Sequence, residues 1–299
     1  MNKIQGVIVP FLTPFDGQGE LNLTAVRPMV DFLIERDIAG LFPGGTTGEG
    51  PLMTVQERRQ LVEAVVEAVD GRVPVIAHVG AISTPKTAEL ALHAQAAGAD
   101  AVAIVAPYYY PYGDEALLRH FERVAAQVPD LPVYLYHNPF VGRSHLTVAL
   151  FKRLVAEIPN VAGIKDSSSN LELVRAGIHL RGGGLNIISG DDGLILAAMA
   201  IGADACVSGN SNVVPELVVA LARAAASGDL PQARQLQAKL DAVRTVLADG
   251  SDLSLFKGVL ELRGVPAGMV RGPMLQATEG KIRECWQALS NLGLDLAPV

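Results

Sequence analysis

Apolar residues along this chain fall into two alternating patterns. Short continuous runs at Val7–Pro10, Gly40–Phe42, Val73–His78, Ala101–Ala106, Val133–His137, Val161–Lys165, Asn186–Ser189 and Ala205–Ser208 predict eight strands. Runs that are apolar throughout belong to strands buried on both faces. Between them, apolar positions recur at helical spacing over Thr54–Val69, Thr84–Ala97, Glu115–Ala126, Val148–Ala156 and Leu171–Leu180. Thr54, with Glu57 three residues on, forms a capping box, and Thr147 is an N-cap for the helix after the fifth strand. Gly98 and Gly202 end helices at two similar turns, Gly98-Ala99-Asp100-Ala101 and Gly202-Ala203-Asp204-Ala205.

Strands buried on both faces and alternating with helices predict an α/β fold, a parallel (β/α)8 TIM barrel. The alternative is an open doubly wound sheet, but no Gly-x-Gly-x-x-Gly follows the first strand. After Ser227 the strand pattern stops. Helical patterns then run over Pro231–Ala248, Leu253–Arg263 and Thr278–Leu292, with apolar faces (Leu236, Leu240, Val243, Leu247; Phe256, Val259, Leu260) that need a partner surface. The expected division is a barrel over 1–227 and a C-terminal helical extension over 228–299, packed on the barrel and available for assembly.

Composition adds limits. The chain has 299 residues, 49% of them hydrophobic, enough for a large core. A net charge of −7 and the lack of any basic run argue against a nucleic-acid partner, so an anionic substrate needs a local cationic or amide-rich pocket. Cys206 and Cys285 form neither a disulfide framework nor a zinc spacing. The six histidines (His78, His93, His120, His137, His145, His179) lack metal-ligand spacing as well, so no metal is expected. Met1–Pro10 has no signal-peptide pattern and no apolar run is long enough to span a bilayer, which makes the cytoplasm the default location, with no membrane partner.

In such a barrel the chemistry lies at the C-terminal ends of the strands. There the apolar run Val161–Ile164 ends in Lys165. A buried ammonium is costly, and a neutral amine can attack a ketone to form a Schiff base. Tyr136 ends the preceding strand and becomes its neighbour; a phenol there can shuttle protons. The loop Gly44-Gly45-Thr46-Thr47-Gly48-Glu49-Gly50 offers hydroxyls and backbone N–H groups suited to a small carboxylate. A plain glycine turn with threonine caps is the structural alternative. A phosphate fits less well, because Glu49 repels it if it faces inward. Tyr108, Tyr109 and Tyr110 follow the fourth strand, and at least one cannot face the barrel mouth. His137 follows Tyr136, so it points the other way unless it swings in where the strand ends.

Four segments in register, Gly45-Thr46-Thr47-Gly48-Glu49, Tyr136-x-x-Pro139, Gly163-x-Lys165-Asp166 and Ser189-Gly190-Asp191-Asp192, resemble the dihydrodipicolinate synthase / N-acetylneuraminate lyase family. The resemblance covers essentially the whole chain. It implies a homotetramer built as a dimer of dimers, no cofactor beyond a covalent lysine imine, and pyruvate or another 2-oxo acid as substrate. It also implies that Lys165 forms the imine, Thr46 and Thr47 hold the carboxylate, and Tyr136 is the acid/base. Thr46 and Tyr109 extend a proton relay, with Tyr109 reaching a neighbouring subunit, and Gly190 and Val207 present backbone carbonyls near the substrate. Two departures bear on the substrate. Dihydrodipicolinate synthases of this type carry an arginine where this chain has Val141, and Arg143 lies two residues further on. N-acetylneuraminate lyases resemble Gly-x-Asp-Glu after the seventh strand and tend to have serine at Thr46, whereas Asp192 here is followed by Gly193. The expectation is therefore a 2-keto-3-deoxy sugar-acid aldolase, with Asp192, Ser167, Ser168, His137 and Asn138 available to bind hydroxyls. Dihydrodipicolinate synthase and a 2-oxo acid dehydratase or deaminase are the alternatives within the family. A non-catalytic acid-binding barrel and a phosphate- or flavin-binding barrel are the alternatives outside it.

Overall fold

The computed structural model describes residues 3–180, 182 and 184–296. The first two residues of the expected barrel range and the last three of the extension lie outside these. Strands and helices alternate as β1 (Gly6–Val9), α1 (Val26–Ile34), β2 (Gly40–Leu41), α2 (Val55–Val69), β3 (Ile76–His78), α3 (Thr84–Ala96), β4 (Ala101–Val105) and α4 (Asp114–Ala125). They continue as β5 (Val133–His137), α5 (Val148–Glu157), β6 (Val161–Asp166), α6 (Glu172–His179), β7 (Asn186–Ser189), α7 (Ile195–Ala200), β8 (Ala205–Val207) and α8 (Pro215–Ser227). The sheet order is β2-β1-β8-β7-β6-β5-β4-β3, all parallel. A parallel bridge between Leu41 and Val75 joins the two ends of that order and closes a TIM barrel. The open-sheet alternative does not survive this closure.

Alternation along each strand sorts the side chains. Ile8, Phe42, Ile76, Ala103, Tyr134, Tyr136, Ile188 and Val207 form one interior cluster. Their neighbours in sequence, such as Val9, Ala77, Ile104 and Ile187, pack outward against the helices. The third strand starts at Ile76 rather than Val73. Pro74 has no N–H to give a ladder, and its carbonyl instead accepts from the Leu41 N–H at 3.0 Å. Both expected caps form, since the Thr54 hydroxyl accepts from the Glu57 N–H and the Thr147 hydroxyl from the Leu150 N–H. Gly98 and Gly202 close α3 and α7 with φ of 87° and 109°, which glycine adopts without steric cost.

The extension consists of α9 (Leu230–Val246), α10 (Leu253–Leu262) and α11 (Glu279–Asn291). Leu240, Val243, Leu247, Phe256, Val259 and Leu260 are buried in one cluster with Val26, Leu33, Leu217 and Leu221 of α1 and α8. A polar tie lies beside this contact. The Glu57 carboxylate accepts from Arg271 at 2.5 Å and from the Thr54 N–H at 2.7 Å. The Arg271 hydrogen bond holds its pKa down, from 4.5 to about 2, against the effect of burial. A folded value below the unfolded one stabilises the protein above the unfolded value, and that contribution is lost as pH falls from about 4.5 toward about 2. Solvent screening at this partly exposed pair reduces its full size to on the order of 1 kcal/mol. Glu57→Gln is expected to lower stability at neutral pH by a comparable amount and to flatten the acid dependence. Urea midpoints followed downward from neutral pH check this, and parallel curves for wild type and variant would contradict it.

Candidate active site

The loop after β2 folds back on itself. The Glu49 N–H donates to the Thr46 carbonyl and the Gly50 N–H to the Gly45 carbonyl, each at 3.0 Å. A Cβ at Gly50 would lie 2.0 Å from the Gly44 oxygen, so only glycine permits the closure. Thr46 is left exposed and Thr47 half-buried, while Glu49 takes a left-handed conformation (φ 56°) and is buried. The Glu49 carboxylate faces away from the loop's concavity, accepting from Lys257 of α10 at 2.5 Å and from the Arg271 N–H at 2.8 Å. The repulsion of a phosphate expected from Glu49 therefore does not arise.

Tyr136 and Lys165 are register partners on β5 and β6, both on the inward alternation. Lys165 is 5% exposed. Its Nζ lies 3.9 Å from the Tyr136 ring centroid and 4.6 Å from that of Phe42. The Tyr136 hydroxyl lies 3.4 Å from Thr46 Oγ1 and accepts from Asn138 Nδ2 at 3.0 Å. Burial alone would raise the phenol's pKa. The positive charge of Lys165 and the hydrogen bonds to Thr46 and Asn138 outweigh it and hold Tyr136 below the usual tyrosine range.

His78, at the end of β3, completes this wall with its ring 5.7 Å from Tyr136 and 5.8 Å from Phe42. Burial, reinforced by the Arg58 charge, keeps His78 neutral, well below its ordinary value. In that form Nδ1–H donates to the Gly44 carbonyl at 2.9 Å. Arg58 of α2 in turn donates to the His78 and Gly80 carbonyls at 2.6 and 2.9 Å. The sequence reading gave neither His78 nor Arg58 a role. For His78 the signal was present, because it stands two residues after inward-facing Ile76.

Other expected site residues divide. Ser167 and Gly190 are at the lysine: a Cβ on Gly190 would lie 2.1 Å from Ser167 Oγ and 3.1 Å from Lys165 Cε. The bare backbone at Gly190 thus leaves room beside the amine. Val207 faces the barrel interior. Asp192 accepts from Asn210 at 2.6 Å, and burial raises its pKa. His137 is a correction. Strand alternation puts it on the outer side, where its Nδ1 pairs with Asp166 at 2.9 Å, away from Lys165. Asn138 bonds the phenol instead of being free for a substrate hydroxyl. Tyr109 is 71% exposed and stacks edge-on with Tyr110, while Tyr108 is the tyrosine that packs on the interior cluster. Arg143 is exposed, and the Ser144 next to it is buried, accepting from the Tyr112 N–H at 2.9 Å. Among the helix histidines, His93 bonds Glu63 at 2.8 Å and buried His120 bonds Thr84 at 2.9 Å, both as packing contacts.

The barrel mouth thus combines a buried amine, a phenol of lowered pKa in contact with it, and a donor-rich loop. These are the components for binding a small carboxylate and attacking a ketone beside it. Among the described residues no three His, Cys, Asp or Glu side chains gather as a metal site needs, and no helix is long and apolar enough to cross a membrane.

Residues 3–292 match the Dihydrodipicolinate synthetase family. The chain belongs to this family. The relatives that follow are similar to it over nearly the full length of each chain. An uncharacterized DapA-like lyase of Halobacterium salinarum is 39% identical, covering 97% of this chain and 95% of that one. A 4-hydroxy-tetrahydrodipicolinate synthase of Methanococcus maripaludis is 33% identical, covering 97% and 99%. Among solved structures, YagE from E. coli K12, a prophage protein of the dihydrodipicolinic acid synthase family crystallised with pyruvate, superposes with a TM-score of 0.91. It is 31% identical, with 97% of this chain and 99% of YagE covered.

Proposed function

We propose that this protein is a class I lyase that cleaves a 2-keto-3-deoxy sugar acid reversibly to pyruvate and an aldehyde. The observation that carries the reading is the register pairing of Tyr136 with Lys165, which sets the amine 3.9 Å from the phenol ring at a buried point of the mouth. Lys165 Nζ attacks the C2 carbonyl and water leaves, giving a protonated imine. The Tyr136 phenolate takes the C4 hydroxyl proton, the C3–C4 bond breaks, and its electron pair moves into the imine as an enamine while the aldehyde departs. Protonation at C3 and hydrolysis release pyruvate and the amine. The Thr46–Thr47 loop holds the carboxylate, with the Gly190 and Val207 carbonyls beside it. Tyr109, exposed in one chain, is assigned to a contact with a second copy in a dimer of dimers.

The distal end of the substrate separates this from a synthase acting on aspartate semialdehyde. That product needs a cation for its second carboxylate, best supplied as a paired guanidinium contact. Val141 supplies none, and Arg143 is turned to solvent while Ser144 is turned in. The synthase reading is retained as the second one, because relatives at 33% identity carry that name.

Borohydride reduction in the presence of pyruvate, followed by peptide mapping, tests the imine. A screen of 2-keto-3-deoxy acids against aspartate semialdehyde tests the substrate. We expect a pyruvate adduct on Lys165 and turnover of a sugar acid. Turnover of aspartate semialdehyde alone would overturn the substrate assignment, and no adduct in folded protein would overturn the lyase reading.

A further inference from the structure

Asn138 lies between His137 and Pro139, just past the end of β5, and both ends of its amide are engaged. Its Nδ2 donates to the Tyr136 hydroxyl oxygen at 3.0 Å, and its Oδ1 accepts from the Phe140 N–H at 3.2 Å. The second contact fixes the first. Only the oxygen can receive a backbone N–H, so the amino end must face the phenol. An N–H donor binds a phenolate more strongly than a phenol, because the acceptor is then charged.

We propose that Asn138 is a positioning residue that acts through Tyr136, holding the phenol toward Lys165 and favouring its ionised form. The proposal deepens the lyase reading and rests on it. The groups facing Tyr136 come from several elements. Lys165 comes from β6, Thr46 from the loop after β2, and the neutral His78 ring, backed by Arg58, from β3. Phe42 adds an apolar face, and Val105 of β4 is the register partner. The hydrogen bond from Asn138 to the hydroxyl, at 3.0 Å, is shorter than the 3.4 Å contact with Thr46. It also comes from a group that cannot titrate. Asn138 therefore lowers the phenol's basicity at every working pH, alongside Lys165 and Thr46, whereas the lysine contribution changes when Lys165 becomes an imine.

The test uses pyruvate alone, so it does not depend on knowing the aldehyde. The rate of C3 hydrogen exchange in deuterated water is followed against pH for wild type, Asn138→Leu and Asn138→Asp. Asn138→Leu removes the donor. Asn138→Asp keeps the acceptor for the Phe140 N–H but sets a carboxylate against the phenol. We expect Asn138→Leu to lower the limiting exchange rate about tenfold and to move the limb governed by Tyr136 up by about one pH unit. Asn138→Asp should move it further in the same direction. The KM for pyruvate should stay unchanged, since the Thr46–Thr47 loop is untouched, and Lys165 should still be trapped by borohydride. An unshifted limb in both variants would overturn the proposal. So would an aspartate variant with the wild-type profile beside a leucine variant that loses activity and thermal stability together, because the residue would then serve only the turn. Wild-type protein that neither exchanges nor traps pyruvate would overturn the lyase reading itself, whereas trapping with unshifted limbs would overturn only the assignment to Asn138.

Discussion

Lys165→Met is expected to leave a folded protein, at least as stable as the parent, whose pyruvate-dependent turnover is lower by about ten-thousand-fold or more. The two halves of this expectation have separate causes. The activity half follows from covalent chemistry: a thioether cannot form an imine, so neither the electron sink nor the C3–C4 cleavage it supports is available. The stability half follows from the surroundings. Lys165 is 5% exposed, and its nitrogen sits over the faces of Tyr136 and Phe42. Methionine has similar length and fits such a site with little repacking. Replacing a buried charge by a well-packed apolar group is commonly neutral or stabilising. Thermal midpoints and a pyruvate-exchange assay on the same preparation read both halves. Retained turnover would sink the nucleophile assignment. A large loss of stability would mean that the amine is holding the barrel mouth together rather than being held there for reaction.

That pairing of effects bears on what sequence reasoning could reach. The barrel was legible because its strands are unbroken apolar runs and its helices carry caps, so local propensity and burial agree at Thr54, Thr147, Gly98 and Gly202. The Tyr136–Lys165 contact was legible for a similar reason. Both end strands next to each other in chain order, and a parallel sheet brings such ends side by side. What escaped depends on long-range partners. His137 has donors and acceptors like those of a binding residue, but strand alternation gives it to Asp166. Asn138 carries the right chemistry for a substrate hydroxyl, yet its amide bonds the phenol two residues back, a contact set by how the chain turns at Pro139 and Phe140. Glu49 was read by its charge alone. Its partner Lys257 lies 208 residues away, a separation no local pattern encodes.

Lys257→Met is the substitution expected to cost the fold most, about 3–5 kcal/mol. Lys257 and Glu49 are both fully buried, 2.5 Å apart. The lysine's other donors reach the Thr13 and Met269 carbonyls, each at 2.7 Å. Burial pulls the lysine's pKa down and the Glu49 charge opposes that pull, so the pair holds its charges only as a pair. Removing the lysine leaves a buried carboxylate with one remaining backbone donor, from Arg271, and two carbonyls without their partner. The functional consequence follows from position. Glu49 is the left-handed residue that ends the Thr46-Thr47 loop, and the Thr13 hydroxyl donates to the Gly48 carbonyl at 2.6 Å just before it. The extension therefore braces the loop proposed to hold the substrate carboxylate. Loosening the brace should raise the KM for pyruvate while Lys165, on a separate strand, keeps its capacity to be trapped at saturating pyruvate. Lys257→Met/Glu49→Leu removes both charges and should recover part of the stability, because the larger cost lies in leaving one charge unpaired. Urea unfolding of the single and double variants, with KM for pyruvate measured alongside, separates these effects. A single variant that loses less than about 1 kcal/mol, the range of an exposed pair, would mean that the buried pair contributes no more than a surface salt bridge.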